Sequence, residues 1–302
     1  MRPSGFLGAA LLLVLGGGWE SAAPLPTPRS EVAAAAVGGE IVVAGGFLPD
    51  GGSSGAVEAY SPARNTWRRL PDLPVEVNHP MAAAAAGKLY VAGGYGGPLV
   101  GALRDAFVLE NGVWRRLPRL PVPRAAGGAA IVAGKLYVVG GVVGRGALAR
   151  DAFVLDLKTR RWSAIPGPTP REHLAVTAAR GRVYALAGRT GGFDTNLRLL
   201  EVWSPSARRW LRLPPVPSSR GGTGAAALGG TIVSVGGEET AGTIASVYGY
   251  DVGRRRWRRL PDLPTPRHGL GVVALGDRVY ALAGGTEPGL SVSAANEALR
   301  VR

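Results

Sequence analysis

The sequence predicts an all-β protein built from six copies of one four-stranded unit. Tryptophan recurs at intervals of 47 or 48 residues, and a glycine mark follows each tryptophan at a similar distance. Short apolar runs of strand length lie between glycine and proline turns, and helical periodicity is missing beyond the first residues. The tryptophans are Trp19, Trp67, Trp114, Trp162, Trp210 and Trp257, and the glycine marks end at Gly46, Gly94, Gly141, Gly188, Gly237 and Gly285.

The first unit shows the order of the elements. Residues 33–37 and 41–44 are apolar and are separated by Gly38-Gly39, which predicts a β-hairpin. A variable loop follows the glycine mark, and a third strand then ends at Tyr60, before a turn that leads to the strand of Trp67. Four-stranded units repeated in this way are typical of a β-propeller, so we predict a six-bladed β-propeller.

The two ends of the repeat indicate how the ring closes. Residues 296–299 match the third strand of the first unit, residues 57–60, and the sixth unit lacks a fourth strand. The first tryptophan strand, at Trp19, conversely has no third strand before it. We therefore predict that the N-terminal strand completes the last blade and removes both open sheet edges. The predicted propeller domain spans residues 19–302.

Residues 1–18 have the pattern of a secretory signal peptide. Met1-Arg2-Pro3 is followed by an apolar stretch at 6–15 and by three glycines. This stretch is too short to span a bilayer, so we expect export to the periplasm or the extracellular space. A wrongly chosen start codon or a disordered tail is the alternative. We predict cleavage at or just before Trp19, because a cut after Ala23 would discard the closing strand.

The net charge of +14 raises the question of a polyanionic partner. Much of this charge follows the repeat, because pairs of arginines such as Arg115 and Arg116 flank the tryptophans. If these segments are the outermost strands, their charges protect exposed sheet edges from pairing with other molecules. A surface that meets an acidic polysaccharide or envelope phosphate is the alternative. No nucleic-acid motif is present, so we predict no nucleic-acid binding.

The unit resembles the kelch repeat. The resemblance rests on the glycine doublet, the aromatic residue before the turn, the tryptophan, and the Leu-Pro-rich linkers at 70–74, 117–124 and 260–267. It covers residues 19–302, whereas the Gly-His and Trp-Asp dipeptides of the WD40 propeller do not occur. It implies a propeller of kelch-type blades, similar to exported bacterial members of that family.

We expect a ligand on the face where the linkers and the loops after the glycine marks emerge together. Loops on a rigid scaffold commonly carry function, and departures from a repeat are more informative than the repeat itself. Asn78-His79-Pro80 and Ser219-Arg220 replace the Pro-Arg of the linker, and Arg189 replaces a glycine. The predicted ligand-binding residues are Arg171, Glu172, His173, Arg189, Arg220, Glu238, Glu239, Arg267, His268 and Glu287.

The recurrent linker arginines allow two interpretations. They can pair with backbone groups or carboxylates between the blades, in which case they are structural. A ring of guanidinium groups around the channel would instead favour an anionic ligand, because the planar guanidinium fits carboxylate and phosphate. These arginines are Arg29, Arg124, Arg171, Arg220 and Arg267.

The three histidines fall in every second unit. His79, His173 and His268 could together hold a divalent metal with an open coordination position. No carboxylate that would orient their rings can be assigned from the sequence, and His268 is offset by one residue from the other two. The sequence therefore predicts no metal and no cofactor.

These observations favour a monomeric binding or scaffold module for a protein or glycan partner, with no membrane span. The alternative is a sugar-modifying enzyme that resembles the exported sialate mutarotases, in which acid-base chemistry opens a sugar ring. No catalytic residue can be assigned to that activity. The copper chemistry of the galactose-oxidase group needs a cysteine, and this chain has none. Whether the protein catalyses a reaction is left open by the sequence.

Overall fold

The computed structural model describes residues 18–97 and 101–301, and it confirms the predicted all-β propeller. Six four-stranded antiparallel sheets, counted within these residues, surround a central channel. The predicted signal peptide lies, apart from Gly18, outside the described residues. No helix in the described part of the chain is long and apolar enough to cross a membrane.

The first three blades are continuous in sequence, and their strands run in order from the channel outward. The first strand, β1 (Trp19–Ser21), belongs to the last blade. Blade 1 consists of β2 (Ala33–Val37), β3 (Glu40–Ala44), β4 (Val57–Ser61) and β5 (Thr66–Arg69). Blade 2 consists of β6 (Met81–Ala85), β7 (Lys88–Ala92), β8 (Ala106–Glu110) and β9 (Val113–Arg116). Blade 3 consists of β10 (Gly128–Val132), β11 (Lys135–Val139), β12 (Asp151–Asp156) and β13 (Arg161–Pro166).

The last three blades follow the same plan, with one added hairpin. Blade 4 consists of β14 (Ala175–Ala179), β15 (Arg182–Leu186), β16 (Leu200–Ser204) and β17 (Arg209–Arg212). Blade 5 consists of β18 (Gly224–Leu228), β19 (Thr231–Val235), β22 (Val247–Asp251) and β23 (Arg256–Leu260), and its loop forms the hairpin of β20 (Glu238–Glu239) and β21 (Gly242–Thr243). Blade 6 consists of β24 (Gly271–Leu275), β25 (Arg278–Leu282), β26 (Asn296–Arg300) and β1. Short 3-10 turns occupy Gly144–Gly146 and Phe193–Thr195.

The N-terminal strand closes the ring as predicted. Strand β1 pairs antiparallel with β26, so that Trp19 lies opposite Leu299 and Ser21 lies opposite Glu297. The last blade therefore combines three strands from the end of the repeat with one from its beginning.

The strands that line the channel carry mainly alanine, glycine and valine because the blades converge there. A Cβ atom on Gly128 would lie 2.6 Å from the Val176 side chain of the next blade, and one on Gly224 would lie 2.2 Å from Val272. Small residues at these positions therefore let neighbouring inner strands approach each other. Larger apolar side chains fill the space between the sheets farther out, where a typical cluster joins Val108 of blade 2 to Phe153 of blade 3.

The repeating tryptophans connect each outermost strand to the preceding linker. The indole Nε1 of Trp114 donates to Pro71 O at 2.8 Å, and that of Trp162 donates to Pro118 O at 2.8 Å. The arginines beside them, such as Arg115 and Arg116, are exposed on the outer strand. This placement agrees with their predicted role as guards of a sheet edge.

Candidate functional site

The linkers and the loops after the glycine marks meet at one end of the channel, which we call the channel mouth. In each blade a short antiparallel bridge joins two residues. One directly follows the position of the linker arginine, and the other directly follows the glycine mark. These two residues therefore lie side by side at the mouth. The bridged pairs are Ser30–Phe47, Asn78–Tyr95, Ala125–Val142, Glu172–Arg189, Gly221–Glu238 and His268–Gly285.

A belt of backbone hydrogen bonds surrounds the mouth. In each blade it includes the residue that directly follows the first member of the bridged pair. The six residues of this belt have left-handed φ angles between 50° and 64°. Their amides donate to the neighbouring blade, as His79 N does to Glu31 O at 2.9 Å and His173 N to Ala126 O at 2.8 Å. Between blades 6 and 1 the donor is Val32 N. The belt residues are Glu31, His79, Ala126, His173, Gly222 and Gly269.

The structure corrects the repeat register in blades 4 and 6. The two residues of the glycine mark in blade 4 are Ala187 and Gly188, and Ala187 has a left-handed φ of 52°. Arg189 therefore stands after the mark and does not replace a glycine, in contrast to our expectation. In blade 6 the mark is likewise Ala283-Gly284, and Gly285 is the residue after it.

Blade 2 also differs from the register that the sequence suggested. The carbonyl of Val77 accepts a hydrogen bond from Gly46 N, as the carbonyl of Arg124 accepts one from Gly94 N. Val77 thus occupies the position of the linker arginine. His79 belongs to the belt two residues later and does not replace the Pro-Arg of the linker.

Three belt side chains converge at the centre of the mouth. The Nε2 atoms of His79 and His173 lie 3.0 Å apart. Glu31 places Oε2 3.3 Å from Nε2 of His79 and Oε1 4.0 Å from Nε2 of His173. The His79 ring also meets Phe47 and Tyr95 edge to face. We call Glu31, His79 and His173 the floor of the mouth.

An ion-pair network holds one of the floor histidines. Nδ1 of His173 lies 2.6 Å from Oε2 of Glu172, whose Oε1 accepts from Nε of Arg189 at 2.8 Å. Nη1 of Arg189 donates to Oε1 of Glu238 at 2.7 Å, and its guanidinium lies over the Phe193 ring. All of these groups are largely buried, and a buried charge is costly unless it is paired. Here each charged group lies beside a group of opposite charge or a hydrogen-bond partner.

The third histidine joins the network from the opposite side. Nδ1 of His268 lies 3.1 Å from Oε1 of Glu31 and 3.6 Å from Oε2 of Glu238. The one-residue offset of His268 therefore places it beside the floor and does not turn it away. Glu31 consequently contacts all three histidines of the chain.

Burial and neighbouring charges set the protonation of the network. Burial lowers the pKa of His79 to about 4, although the nearby Glu31 acts in the opposite direction. Burial alone would raise the pKa of Glu31, but the nearby His79, His268 and His173 outweigh it and hold that pKa well below its usual value. Burial lowers the pKa of His268, but Glu31 and Glu238 outweigh it, so that this pKa is raised overall.

The structure brings half of the predicted ligand-binding residues into this network. Two further predicted residues, Glu239 and Glu287, are exposed on the surrounding loops. The predicted residues that join the network are Glu172, His173, Arg189, Glu238 and His268.

The predicted arginines Arg171, Arg220 and Arg267 lie elsewhere, inside their blades. Each is completely buried and donates to the carbonyl of the first residue of its own glycine mark, as Arg171 does to Ala187 O at 2.6 Å. Arg171 also pairs with Glu201, and Arg29 and Arg124 are buried in the same way. This placement favours the structural interpretation of the linker arginines, because none of these five side chains faces the mouth.

Glu31 and Asn78 are site residues that the sequence analysis did not assign. The signal for Glu31 is its offset, because it follows Arg29 by two residues as His173 follows Arg171. Asn78 is one of the breaks in the repeat, but its type and position alone predict no role for it. Its Oδ1 lies 2.6 Å from Nδ1 of His79, and its Nδ2 donates to Ser53 Oγ at 2.8 Å.

A cavity of about 720 Å³ opens above the floor of the mouth. Its walls include the apolar side chains of Phe47, Phe193 and Leu290, and its base includes the floor residues with Arg189 and Glu238. A second cavity, of about 130 Å³, lies on the channel side and is lined by the same three floor residues. The floor therefore separates the mouth from the channel.

The cavity is acidic although the protein as a whole is basic. Its lining contains the carboxylates of Glu31, Glu238 and Asp50 against the guanidinium of Arg189 and the imidazole of His268, whose pKa is raised. Three loops that contribute to the lining, residues 47–55, 238–246 and 286–295, contain no lysine or arginine. The local charge thus favours a neutral or cationic group over an anionic one.

Taken together, the fold and the site define a six-bladed propeller whose loops form one acidic, apolar-walled mouth. The family model of the KLHDC2/KLHL20/DRC7 Kelch-repeats domain matches residues 78–285, and that of the Kelch motif matches residues 28–74. The chain belongs to the kelch-repeat family. Kelch propellers are typically protein-interaction modules.

Two curated proteins illustrate the similarity. Kelch-like protein terF of Aspergillus terreus is 29% identical over 238 residues, which cover 77% of this chain and 43% of the fungal protein. F-box/kelch-repeat protein At1g16250 of Arabidopsis thaliana is 32% identical over 71 residues, which cover 23% of this chain and 18% of the plant protein. The matched segments thus span less than half the length of either relative. Both relatives are eukaryotic, so the expected likeness to exported bacterial members is not confirmed.

Proposed function

We propose that this protein binds a segment of a protein partner at the channel mouth. The observation that carries the proposal is the cavity of about 720 Å³, which has apolar walls and a charged base. Ligand sites commonly combine these features in cavities of roughly 300–1,000 Å³. Membership of a family of protein-interaction modules supports a protein as the partner.

The walls of the cavity favour an apolar side chain on the partner. Leu290 is 58% exposed at the rim, although it is one of the largest apolar side chains of the loops. Phe47 and Phe193 face the same space. Burial of these surfaces by a partner would contribute about 25 cal/mol per Å² of apolar area removed from water.

The charge of the cavity favours a lysine, an arginine or an amino terminus beside that apolar side chain. Asp50 and Glu238 line the cavity, and Arg189 is already paired with Glu172 and Glu238. The linker arginines are buried inside the blades and offer no positive charge at the mouth. An anionic ligand, which the sequence suggested, is therefore less suited to this cavity than a basic one.

A glycan partner, export and a monomeric state stay predictions of the sequence. The comparisons do not support the alternative of a sugar-modifying enzyme, because the matching family models describe kelch repeats and neither curated relative is named as an enzyme. We retain export as a proposal on the pattern of residues 1–18. N-terminal sequencing of protein recovered from outside the cytoplasm would test it.

The binding proposal can be tested with a displayed peptide library and a glycan array. Peptides selected on the wild-type protein should contain an apolar residue close to lysine or arginine. Their affinity should fall about fivefold or more in Leu290→Ser, as for loss of an apolar contact at a binding site, and should also fall in Asp50→Lys. The matched control is Val113→Ser, since Val113 is 53% exposed at the opposite end of the propeller and should have no effect.

Two outcomes would overturn this assignment. Selected peptides could be acidic, or their affinity could be indifferent to both Leu290→Ser and Asp50→Lys, which would place binding elsewhere. If no peptide is selected and a glycan binds with an affinity that depends on Leu290, the partner is a carbohydrate and not a protein.

A further inference from the structure

We propose that Glu31, His79 and His173 bind one divalent transition-metal ion at the floor of the channel mouth. The proposal rests on the positions and orientations of these three side chains and not on the identity of any partner. It replaces the sequence-based prediction of no metal.

The backbone holds the three side chains in place. All three residues have left-handed φ angles, of 50° or 51°, in the belt around the mouth. A residue other than glycine adopts this conformation at a cost of roughly 1–2 kcal/mol. The hydrogen bonds of the belt maintain it, so the floor is a preorganised cluster on a rigid scaffold.

The hydrogen-bond partners of the two imidazoles determine which ring nitrogen carries hydrogen. Nδ1 of His79 faces Oδ1 of Asn78, whose Nδ2 donates to Ser53 Oγ and so directs the oxygen at the ring. Nδ1 of His173 faces Oε2 of Glu172, and this carboxylate is paired with Arg189 and acts only as an acceptor. Both Nδ1 atoms therefore carry hydrogen, and when both rings are neutral their Nε2 atoms present lone pairs to each other.

Two lone pairs that face each other in this way require a positive charge between them, either a proton or a metal ion. Two Nε2 lone pairs face each other at 3.0 Å, with a carboxylate oxygen 3.3 Å from one of them. In a tetrahedral zinc site with bonds of about 2.0–2.1 Å, neighbouring ligand atoms are about 3.3 Å apart. Two of the three separations match this spacing, whereas the nearest oxygen of Glu31 lies 4.0 Å from Nε2 of His173, so this carboxylate must move closer to complete the set of ligands.

The donor set indicates the kind of metal. Two imidazoles and one carboxylate suit zinc and other borderline divalent ions of the first transition series. Histidine rings that donate Nδ1–H to an acceptor, as both do here, are the usual arrangement in metal sites. Since the floor borders both the mouth cavity and the channel cavity, a fourth coordination position would remain open to a water or to a ligand.

The charges around the floor are also suited to a dication. The carboxylates of Glu31, Glu172 and Glu238 outnumber the guanidinium of Arg189 and the imidazole of His268. A second group of described residues that could hold an ion, Glu31, Glu238 and His268, shares Glu31 with the floor but contains neither His79 nor His173. Loss of metal binding in variants of His79 and His173 would therefore report on the floor.

The experiment titrates Zn²⁺ into untagged, chelator-dialysed protein by calorimetry and records the visible absorption of the Co²⁺ form. We expect one ion per chain and a melting temperature that rises with zinc. His79→Asn and His173→Asn should each weaken Zn²⁺ binding by about 100-fold or more, and Glu172→Gln by about 10–100-fold, because Glu172 only orients a ligand. Glu239→Gln, which removes an exposed carboxylate of the same face, should change nothing.

Near-ultraviolet circular dichroism of each variant separates loss of a ligand from loss of the fold. Absence of stoichiometric binding by the folded wild-type protein would overturn the proposal, as would equal affinity of the wild type and both folded histidine variants. Nitrogen-15 NMR that finds a proton shared by the two Nε2 atoms, in protein that takes up no zinc, would assign the close contact to that proton instead. No partner is used, so the outcome is independent of the peptide-binding proposal.

Discussion

Arg171 donates through Nη1 to Oε2 of Glu201 at 2.5 Å, and both side chains are buried inside blade 4. The same guanidinium donates to the carbonyls of Thr169 at 2.7 Å and Ala187 at 2.6 Å. One side chain thus joins the linker, the third strand and the glycine mark of a single blade. Burial of such a pair is costly unless every donor is satisfied, and here the backbone supplies the additional acceptors.

Arg171→Ala should therefore destabilise the fold. It leaves the Glu201 carboxylate buried without its partner, and we expect a loss of about 3–5 kcal/mol in the free energy of unfolding, measured by urea denaturation. Replacing both residues by methionine should recover much of this loss, because no buried charge remains.

The matched control is Arg209→Ala, in the exposed outer strand of the same blade, which should change stability by less than about 0.5 kcal/mol. If Arg171→Ala unfolds at the same urea concentration as the wild type, the arginine is not a structural link. It would then have to be reconsidered as a ligand-binding residue.

The second residue of each glycine mark should tolerate no side chain. Gly141 has a φ of 86°, and a Cβ atom there would lie 2.4 Å from Ala125 O. Gly141→Ala must therefore shift the linker backbone, and we expect a loss of at least about 2 kcal/mol in thermal or urea unfolding. Gly144→Ala, three residues later and with open space around it, should be close to neutral. Equal stability of the two variants would contradict this explanation of the repeat.

Most of the fold could be predicted from the sequence because its determinants are local and repeated. The glycine and proline turns, the apolar runs and the tryptophans occur once in every blade, and each copy supports the interpretation of the others. Closure by the strand of Trp19 followed from counting strands at both ends, and the pairing of β1 with β26 confirms it.

The site was harder to predict because it depends on single-residue register and on left-handed backbone. Ala187 adopts the left-handed backbone conformation that usually requires glycine. The sequence pattern therefore assigned Arg189 to the glycine mark, whereas Arg189 is the residue after the mark. The sequence equally did not show whether the linker arginines point into the blades or into the channel mouth. One feature of the sequence does indicate that the linker arginines are buried. Glutamates such as Glu58 and Glu201 lie within buried third strands, and a buried carboxylate requires a buried partner of opposite charge.

The outer strand of blade 2 offers a test of edge protection. Reversal of both Arg115 and Arg116 to glutamate should change the unfolding free energy by less than about 1 kcal/mol, because both side chains are exposed and the ion pair of Arg116 with Asp105 lies at the surface. Trp114→Ala should cost clearly more, about 2–3 kcal/mol, since the indole packs between blades and donates to Pro71 O. Comparable losses in the two variants would refute the assignment of the arginines as solvated edge residues.

The closing strand permits a last test, which also concerns where a signal peptide can be cut. Trp19 is 3% exposed in the core between blades 5 and 6, and its Nε1 donates to Pro261 O at 3.0 Å. A chain that begins at Pro24 lacks this side chain and leaves β26 as an unpaired edge. It should lose at least about 3 kcal/mol of stability and should associate through that edge, as seen in its elution volume.

A chain that begins at Gly18 is the control and should be monomeric and fully stable. If the shorter chain is as stable and as monomeric as the control, the N-terminal strand is not needed to close the ring. Cleavage after Ala23 would then be compatible with the fold. If the shorter chain is destabilised, a leader can be removed only at or before Trp19, and sequencing of exported protein should find that N-terminus.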